Sequence, residues 1–254
     1  MDDISIIEYK DFDLENSMLI VAFPTVGLIS SIAGHFIINS LKLELIGSIS
    51  SGHFTPAAVI HKTIPSPPVR IYAGKKKCGP DNSCSNIVII ISEFMPSAEV
   101  IKPLVEKIFR WAEKKGCKII LTLEGMHTSN DKEKKPKVFG VGTTDQMKKM
   151  LKKFNINQTQ EGMITGVTGV LLYEGVHKQR NILCLLAGTQ VKYPDSRAAA
   201  SLLEQVDKML PAIKIDPKPL YEAAKEIEDK ILQSIEQSKP TAPTIQPAPY
   251  SMYH

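Results

Sequence analysis

The sequence predicts an α/β protein: a three-layer α/β/α sandwich with a mostly parallel central sheet, plus a C-terminal helix and a disordered tail. Runs such as SMLIVAF (residues 17–23) and NIVIIIS (residues 86–92) are apolar on both faces, as strands of a parallel sheet require. Segments of helical periodicity alternate with these runs, which is typical of α/β sandwiches. After residue 239 the composition shifts to Pro, Thr, Ala and Gln.

The first half of the chain is predicted to open with a βαβ unit. The strand SMLIVAF leads through PTVG into a helix over LISSIAGHFIINSLKL, in which Leu28, Ile32 and Phe36 keep helical spacing. The elements predicted in this half are strands at 17–23, 44–51, 57–61, 69–73 and 86–92, and helices at 28–43 and 98–115.

The second half continues the alternation. CKIILTLE is the next buried strand, and TGVTGVLLYEGVHK is predicted to be a helix that is entered through glycines. NILCLLAGT is the last central strand, and an alanine-rich helix closes the domain. The elements predicted here are strands at 117–124, 138–142 and 181–189, and helices at 144–151, 165–178 and 197–210.

Three units are expected along the chain: an α/β domain at 1–212, an amphipathic helix at 213–239 and a flexible proline-rich tail at 240–254. Asp216 and Pro217 form a helix start. A narrow apolar stripe follows on an otherwise charged helix, and it is a candidate oligomer contact. Its residues are Leu220, Ala224, Ile227, Ile231 and Ile235.

Composition and charge are those of a globular protein that does not bind nucleic acid. The chain has 254 residues, 43% of them hydrophobic and 23% charged, with a net charge of +4. These values are ordinary for a globular domain. The lysine-rich runs at 75–77 and 132–137 have no interleaved aromatic side chains for stacking bases, so we expect no nucleic-acid partner.

One stretch requires a check for membrane insertion. No Asp, Glu, Lys or Arg lies between Glu15 and Lys42, a run longer than the ~18 residues of a candidate spanning helix. Pro24 interrupts this run, and Ser30 and His35 lie within it. The start MDDISIIEYKDFD is acidic, unlike a signal peptide. We therefore expect a buried strand and helix, no membrane partner and a cytoplasmic location.

The cysteines do not indicate a metal site. Cys117 and Cys184 lie in apolar strand-like positions and are predicted to be buried thiols. Cys78 and Cys84 bracket the loop CGPDNSC, whose spacing is unlike a zinc knuckle, although a loop disulfide is an open alternative. We expect no metal and no cofactor.

An enzyme is the alternative hypothesis. A hydrolase or nucleoside-processing enzyme would use a crevice at the carboxyl ends of the strands, with Glu93 or Glu124 as general base and His127 as acid. Carboxylates at strand ends also cap helices or simply reach water. FPTVG has one glycine where a dinucleotide fingerprint needs three, and TGVTGV lacks the lysine of a P-loop. No complete catalytic constellation is recognisable.

Three stretches carry a family resemblance. FPTVGLISSIAGHFI, EGMITGVTGVLL and YPDSRAAASLLEQV resemble, in order and spacing, the signature stretches of the proteasome assembly chaperone 2 family in its archaeal branch. Members often have glycine where Thr25 stands here. The resemblance covers about residues 18–210, and it implies an α/β/α sandwich without a catalytic role.

The resemblance also gives a role to the end of the chain. Archaeal members end in a hydrophobic-tyrosine-any motif, which Met252, Tyr253 and His254 match. In the family such tails dock between α-subunits of the 20S proteasome. A carboxylate can pair there with a lysine, and a tyrosine ring can be buried while its hydroxyl finds a partner.

These observations together predict a non-enzymatic, homo-oligomeric proteasome-binding protein. It would assist 20S assembly or activate the gate of the 20S particle, and both activities occur in the family. The expected partners are the 20S α-subunits and further copies of this chain. A paralogous chaperone is an alternative partner for the amphipathic helix.

Overall fold

A computed structural model describes residues 3–61, 63–78, 84–128, 136–189, 194–210, 216, 230, 232–234 and 236. The strands are β1 (Ser5–Glu8), β2 (Ser17–Ala22), β3 (Glu44–Ser50), β4 (Val59–His61), β5 (Ile64–Ser66), β6 (Val69–Cys78), β7 (Cys84–Ser92), β8 (Ile119–His127), β9 (Val138–Gly142), β10 (Asn157–Gln158) and β11 (Ile182–Thr189). The main helices are α1 (Ile29–Leu41), α2 (Ala98–Lys114), α3 (Asp145–Lys153), α4 (Gly166–His177) and α5 (Ser196–Met209).

Among the described residues, nine strands form one mixed sheet in the order β1-β3-β6-β7-β2-β8-β11-β9-β10. Its centre, β7-β2-β8-β11, is parallel. Antiparallel pairs join β11 to β9 on one side, and β7 to β6, β6 to β3 and β3 to β1 on the other. The strands β4 and β5 form a separate hairpin. All six residues of β2 are buried, which explains its unbroken apolar sequence.

Helices cover both faces of the sheet. One core contains buried residues of α1, α3 and α5, and the other contains those of α2 and α4. Side-chain caps start two of these helices: Thr144 Oγ1 accepts a hydrogen bond from the Met147 N–H, and Asp195 Oδ1 accepts one from the Ala198 N–H. The predicted α/β/α sandwich is confirmed, with its parallel strands at the centre of the sheet.

Three strands were not predicted. β1 lies at the acidic start of the chain, and three of its four residues are exposed while Ile6 is half-buried, so its sequence lacks an apolar run. β5 and β10 have three and two residues, too few for a periodic pattern. The predicted βαβ unit exists as β2-α1-β3, but β7 and β6 lie between its two strands. β2 and β3 are therefore not neighbours.

Cys117 and Cys184 are free thiols, and Cys84 is disulfide-bonded. The described residues 230, 232–234 and 236 are helical. The stripe residues Leu220, Ala224, Ile227, Ile231 and Ile235 lie outside the described residues, as does the whole tail 240–254. In the part of the chain that is described, no helix has the length and apolar character needed to cross a membrane.

Candidate functional site

Two of the signature stretches meet at the carboxyl edge of the sheet. The backbone N–H of Asp195, at the start of α5, donates a 2.8 Å hydrogen bond to the carbonyl oxygen of Gly27, which follows β2. The Asp195 carboxylate also accepts a 2.6 Å hydrogen bond from Thr189 Oγ1 at the end of β11. Asp195 therefore joins the turn after β2, the end of β11 and the start of α5.

The turn after β2 has an unusual backbone. Gly27 and Leu28 both have positive φ, 64° and 51°. This region is easily reached by glycine and disfavoured for leucine, so the surrounding packing must hold Leu28 there. A Cβ on Gly125 of β8 would collide with the carbonyl of Val26. Gly125 therefore allows β8 to pass directly against this turn.

The third signature stretch reaches the same edge from the opposite face. Gly166 begins α4 with φ of 70°, and an added Cβ there would lie 3.3 Å from the Sδ of Met95. The side chain of Thr168, two residues later, is hydrogen-bonded to the carboxyl group of Glu124 in β8. We name this region, formed by residues 23–29, 124–125, 165–168 and 194–198, the carboxyl-edge junction.

Glu124 is the most perturbed carboxyl group of the junction. Its side chain is 9% exposed. Burial raises the pKa of Glu124 from 4.5 to about 8, and the hydrogen bond with Thr168 opposes this change. The carboxyl group is therefore mostly protonated at neutral pH, which is the state of a proton donor rather than of the general base that the enzyme hypothesis assigns to it.

Glu93 belongs to a different cluster. It follows β7, and its carboxylate forms a buried ion pair with Arg70 at the start of β6. The Nε2 atom of His35, on α1, lies 3.3 Å from Glu93 Oε1. Burial and the positive charges of Arg70 and Lys230 lower the pKa of His35 to about 3. The imidazole is therefore neutral near pH 7, and its contact with Glu93 is a hydrogen bond rather than an ion pair.

The structure does not bring the three candidate catalytic residues together. Glu93 contacts α1 on one face of the sheet, whereas Glu124 contacts α4 on the other. His127 is exposed at the end of β8, and strand alternation places it on the face opposite Glu124. Among the described residues, no group of three or more His, Cys, Asp and Glu could hold a metal ion. The structure therefore gives no support to the proposed acid–base pair.

Sequence reasoning found Glu93 but missed Arg70 and His35. Arg70 is the charged residue in the buried start of β6, VRIYA, and His35 interrupts the apolar helix α1. Each of these two residues interrupts an apolar pattern, and this interruption is the sequence signal that could have identified them. The predicted docking residues Met252, Tyr253 and His254 lie outside the described residues.

Comparison with known proteins identifies the family. Residues 19–235 match the PAC2 family, and the chain belongs to it. A relative in Methanocaldococcus jannaschii, an uncharacterized protein, is 31% identical over 237 residues, which are 93% of each chain. The family resemblance carried by the three signature stretches is thereby confirmed.

Solved structures show the same fold. The protein is similar to Pyrococcus furiosus PbaA, an archaeal homolog of proteasome-assembly chaperone, with a TM-score of 0.80 and 28% identity over 92% of this chain and 97% of PbaA. It is also similar to Pyrococcus furiosus PbaB, an archaeal proteasome activator, with a TM-score of 0.76 and 23% identity over 93% of this chain and 100% of PbaB. Because PbaB is only 23% identical, its similarity supports the fold and not the function.

The raised pKa of Glu124 predicts how stability changes with pH. The stabilisation from keeping this group protonated is complete below pH 4.5, declines as pH rises and is lost above about pH 8. Glu124→Gln keeps a neutral side chain at every pH. Relative to wild type, we expect its free energy of unfolding to rise by up to ~1.4 kcal/mol per pH unit across this window. Urea unfolding at pH 5 and pH 8.5 measures the change, and an equal difference at both values would refute the assignment.

Proposed function

We propose that this protein is a non-enzymatic proteasome-binding protein of the cytoplasm that assists 20S assembly or activates the gate of the 20S particle. The observation that carries the proposal is the similarity to PbaA, at 28% identity and a TM-score of 0.80 over nearly the whole of both chains. Membership of the PAC2 family agrees with it. The separation of Glu93, Glu124 and His127 on different parts of the sheet favours binding over catalysis.

The proposed docking element is the C-terminal tripeptide Met252, Tyr253 and His254. Its carboxylate would pair with a cation in a pocket between two α-subunits of the 20S proteasome. The ring of Tyr253 would be buried with its hydroxyl hydrogen-bonded, and Met252 would adapt to an apolar wall. The proline-rich tail 240–254 could extend up to about 45 Å, enough to separate the docking element from the folded domain.

The tail proposal predicts separable effects of single changes. Tyr253→Ala removes the buried ring and should weaken binding to an archaeal 20S proteasome by about 30-fold, the equivalent of ~2 kcal/mol. One glycine added after His254 should also abolish tight binding, because it moves the carboxylate while keeping every native side chain. Biolayer interferometry on immobilised 20S particles measures both effects.

Two matched controls accompany these variants. His254→Ala keeps the carboxylate in place, and Tyr250→Ala removes a tyrosine of the same tail that lies outside the tripeptide. Both should bind within about twofold of wild type, since neither removes a proposed anchor. Hydrolysis of a small fluorogenic peptide by the mature 20S particle distinguishes gate activation, which raises the rate, from assembly assistance, which leaves it unchanged. Wild-type binding by both Tyr253→Ala and the extended chain would exclude the tail as docking element.

We further propose that the chain forms a homo-oligomer through the stripe Leu220, Ala224, Ile227, Ile231 and Ile235. An isolated helix with a narrow apolar stripe is marginal in water unless that stripe is buried. Several tails on one oligomer would also gain avidity for a ring of repeated pockets.

Sedimentation tests the oligomer directly. At micromolar concentration, analytical ultracentrifugation should give a mass that is a multiple of the 28.1 kDa chain. Ile227→Asp should dissociate the assembly, because a carboxylate would be buried in the apolar contact. Lys225→Asp is the matched control, since an ideal helix would place it about 160° away from Ile227 around the helix axis. A monomeric wild-type chain would refute self-association. A paralogous chaperone would then be the remaining candidate to cover the stripe.

A further inference from the structure

A large cavity lies on the face of the sheet that α1 covers. Its volume is about 1030 Å³. It is bounded by α1, by the β4–β5 hairpin, by the first residues of β6 and by Lys230, Gln233 and Ser234 of the C-terminal helix. This volume is at the upper end of the range for sites that hold small organic ligands. The cavity is separate from the carboxyl-edge junction and from the proposed docking tripeptide.

Most of the cavity wall is apolar. Ile38 of α1 and Leu43 and Leu45 beside it form one side. Ile60 and Ile64 of the hairpin form another, and they are 64% and 67% exposed. Two such side chains at the entrance of a cavity would lose unfavourable contact with water if an apolar ligand lay against them.

The polar part of the wall is cationic. Lys42, Arg70 and Lys230 line the cavity, and Glu93 is the single carboxylate among its described lining residues, so cations outnumber anions there. Glu93 is already paired with Arg70. The positive charges of Arg70 and Lys230 also contribute to the lowered pKa of His35, which lines the same wall.

Arg70 gives a more specific indication that the ligand is an anion. Its side chain is almost fully buried, at 4% exposure. Its Nε–H donor is enclosed, and no hydrogen-bond acceptor among the described residues lies within reach of it. A buried donor that stays unsatisfied is costly, and a guanidinium group is well shaped to bind an anionic head group. Arg70 also lines the cavity, which therefore combines a buried guanidinium group with apolar walls.

We propose that this cavity binds a small amphipathic anion, with its head group at Arg70, Lys42 and Lys230 and its apolar body against Ile38, Leu43 and the β4–β5 hairpin. The binding is noncovalent. Lys230, Gln233 and Ser234 form one wall, so a bound ligand should stabilise these residues in their position at the cavity. The inference concerns a ligand site within the domain, and it holds whether or not the chain binds a proteasome.

Decanoate is a suitable probe because it has one negative charge and an apolar chain. Isothermal titration calorimetry on the full chain, below the micellar concentration of decanoate, should show one saturable site. Decan-1-ol lacks the charge and inorganic phosphate lacks the apolar chain, so each should bind at least tenfold more weakly. Equal binding of decanol would contradict the role of the cations, and equal binding of phosphate would contradict the role of the apolar walls. Absence of decanoate binding would overturn the proposal.

Charge variants locate the site. Lys42→Gln and Lys230→Gln should each weaken decanoate binding by about 2- to 5-fold, as expected for partly solvated charges. Lys152 is an exposed residue of α3 outside the cavity lining, so Lys152→Gln is the matched control and should have no effect. Arg70→Lys keeps the charge but removes the planar guanidinium group, and it should weaken binding further. Lysine variants that all match the control would place any bound decanoate elsewhere and refute this site.

Hydrogen exchange measured by mass spectrometry tests the link to the C-terminal helix. Peptides covering residues 230–236 should exchange more slowly in saturating decanoate than in its absence. The same comparison in the Lys230→Gln variant should show a smaller difference, because one of the helix's contacts with the head group is removed. Unchanged exchange in wild type at saturation would contradict the role given to the helix as a wall of the site.

Discussion

The burial of β2 on both faces is the constraint on which the rest of the domain depends. Every residue of this strand is enclosed, and its backbone is paired with β7 on one side and β8 on the other. The chain can leave the strand only through a tight turn, in which Gly27 and Leu28 adopt positive φ. Gly125 and Asp195 contact this turn from β8 and from α5. The three signature stretches therefore pack together at one edge of the sheet.

The described part of the chain is mainly the folded α/β domain, and the proposed docking tripeptide lies outside it. At the carboxyl edge, where α/β enzymes commonly bind substrates, a backbone turn packs against β8, and Glu124 is buried beside α4. The open space lies instead between α1, the β4–β5 hairpin and the C-terminal helix. The proposed contact with the proteasome is therefore assigned to the C-terminal tripeptide rather than to a crevice at this edge.

The central elements were predictable because their sequences carry one strong pattern each. Buried strands such as β2 and β7 are continuously apolar, and helices such as α2 keep a clear periodicity. The edge strand β1 was not predictable, since its side chains are partly exposed and its partner β3 lies far along the chain. The pairing of Glu93 with Arg70 was hidden for a similar reason: it depends on the register of β6 and β7, which no local pattern specifies.

The central claim is that the chain binds the 20S proteasome through its last three residues, and one measurement tests it most directly. An archaeal 20S particle is incubated with the intact chain or with a chain that lacks Met252 to His254, and the bound fraction is recovered by pull-down. The account predicts that the intact chain is recovered with the particle and the shortened chain is not, while both remain equally folded by circular dichroism. Equal recovery of the two chains would contradict it.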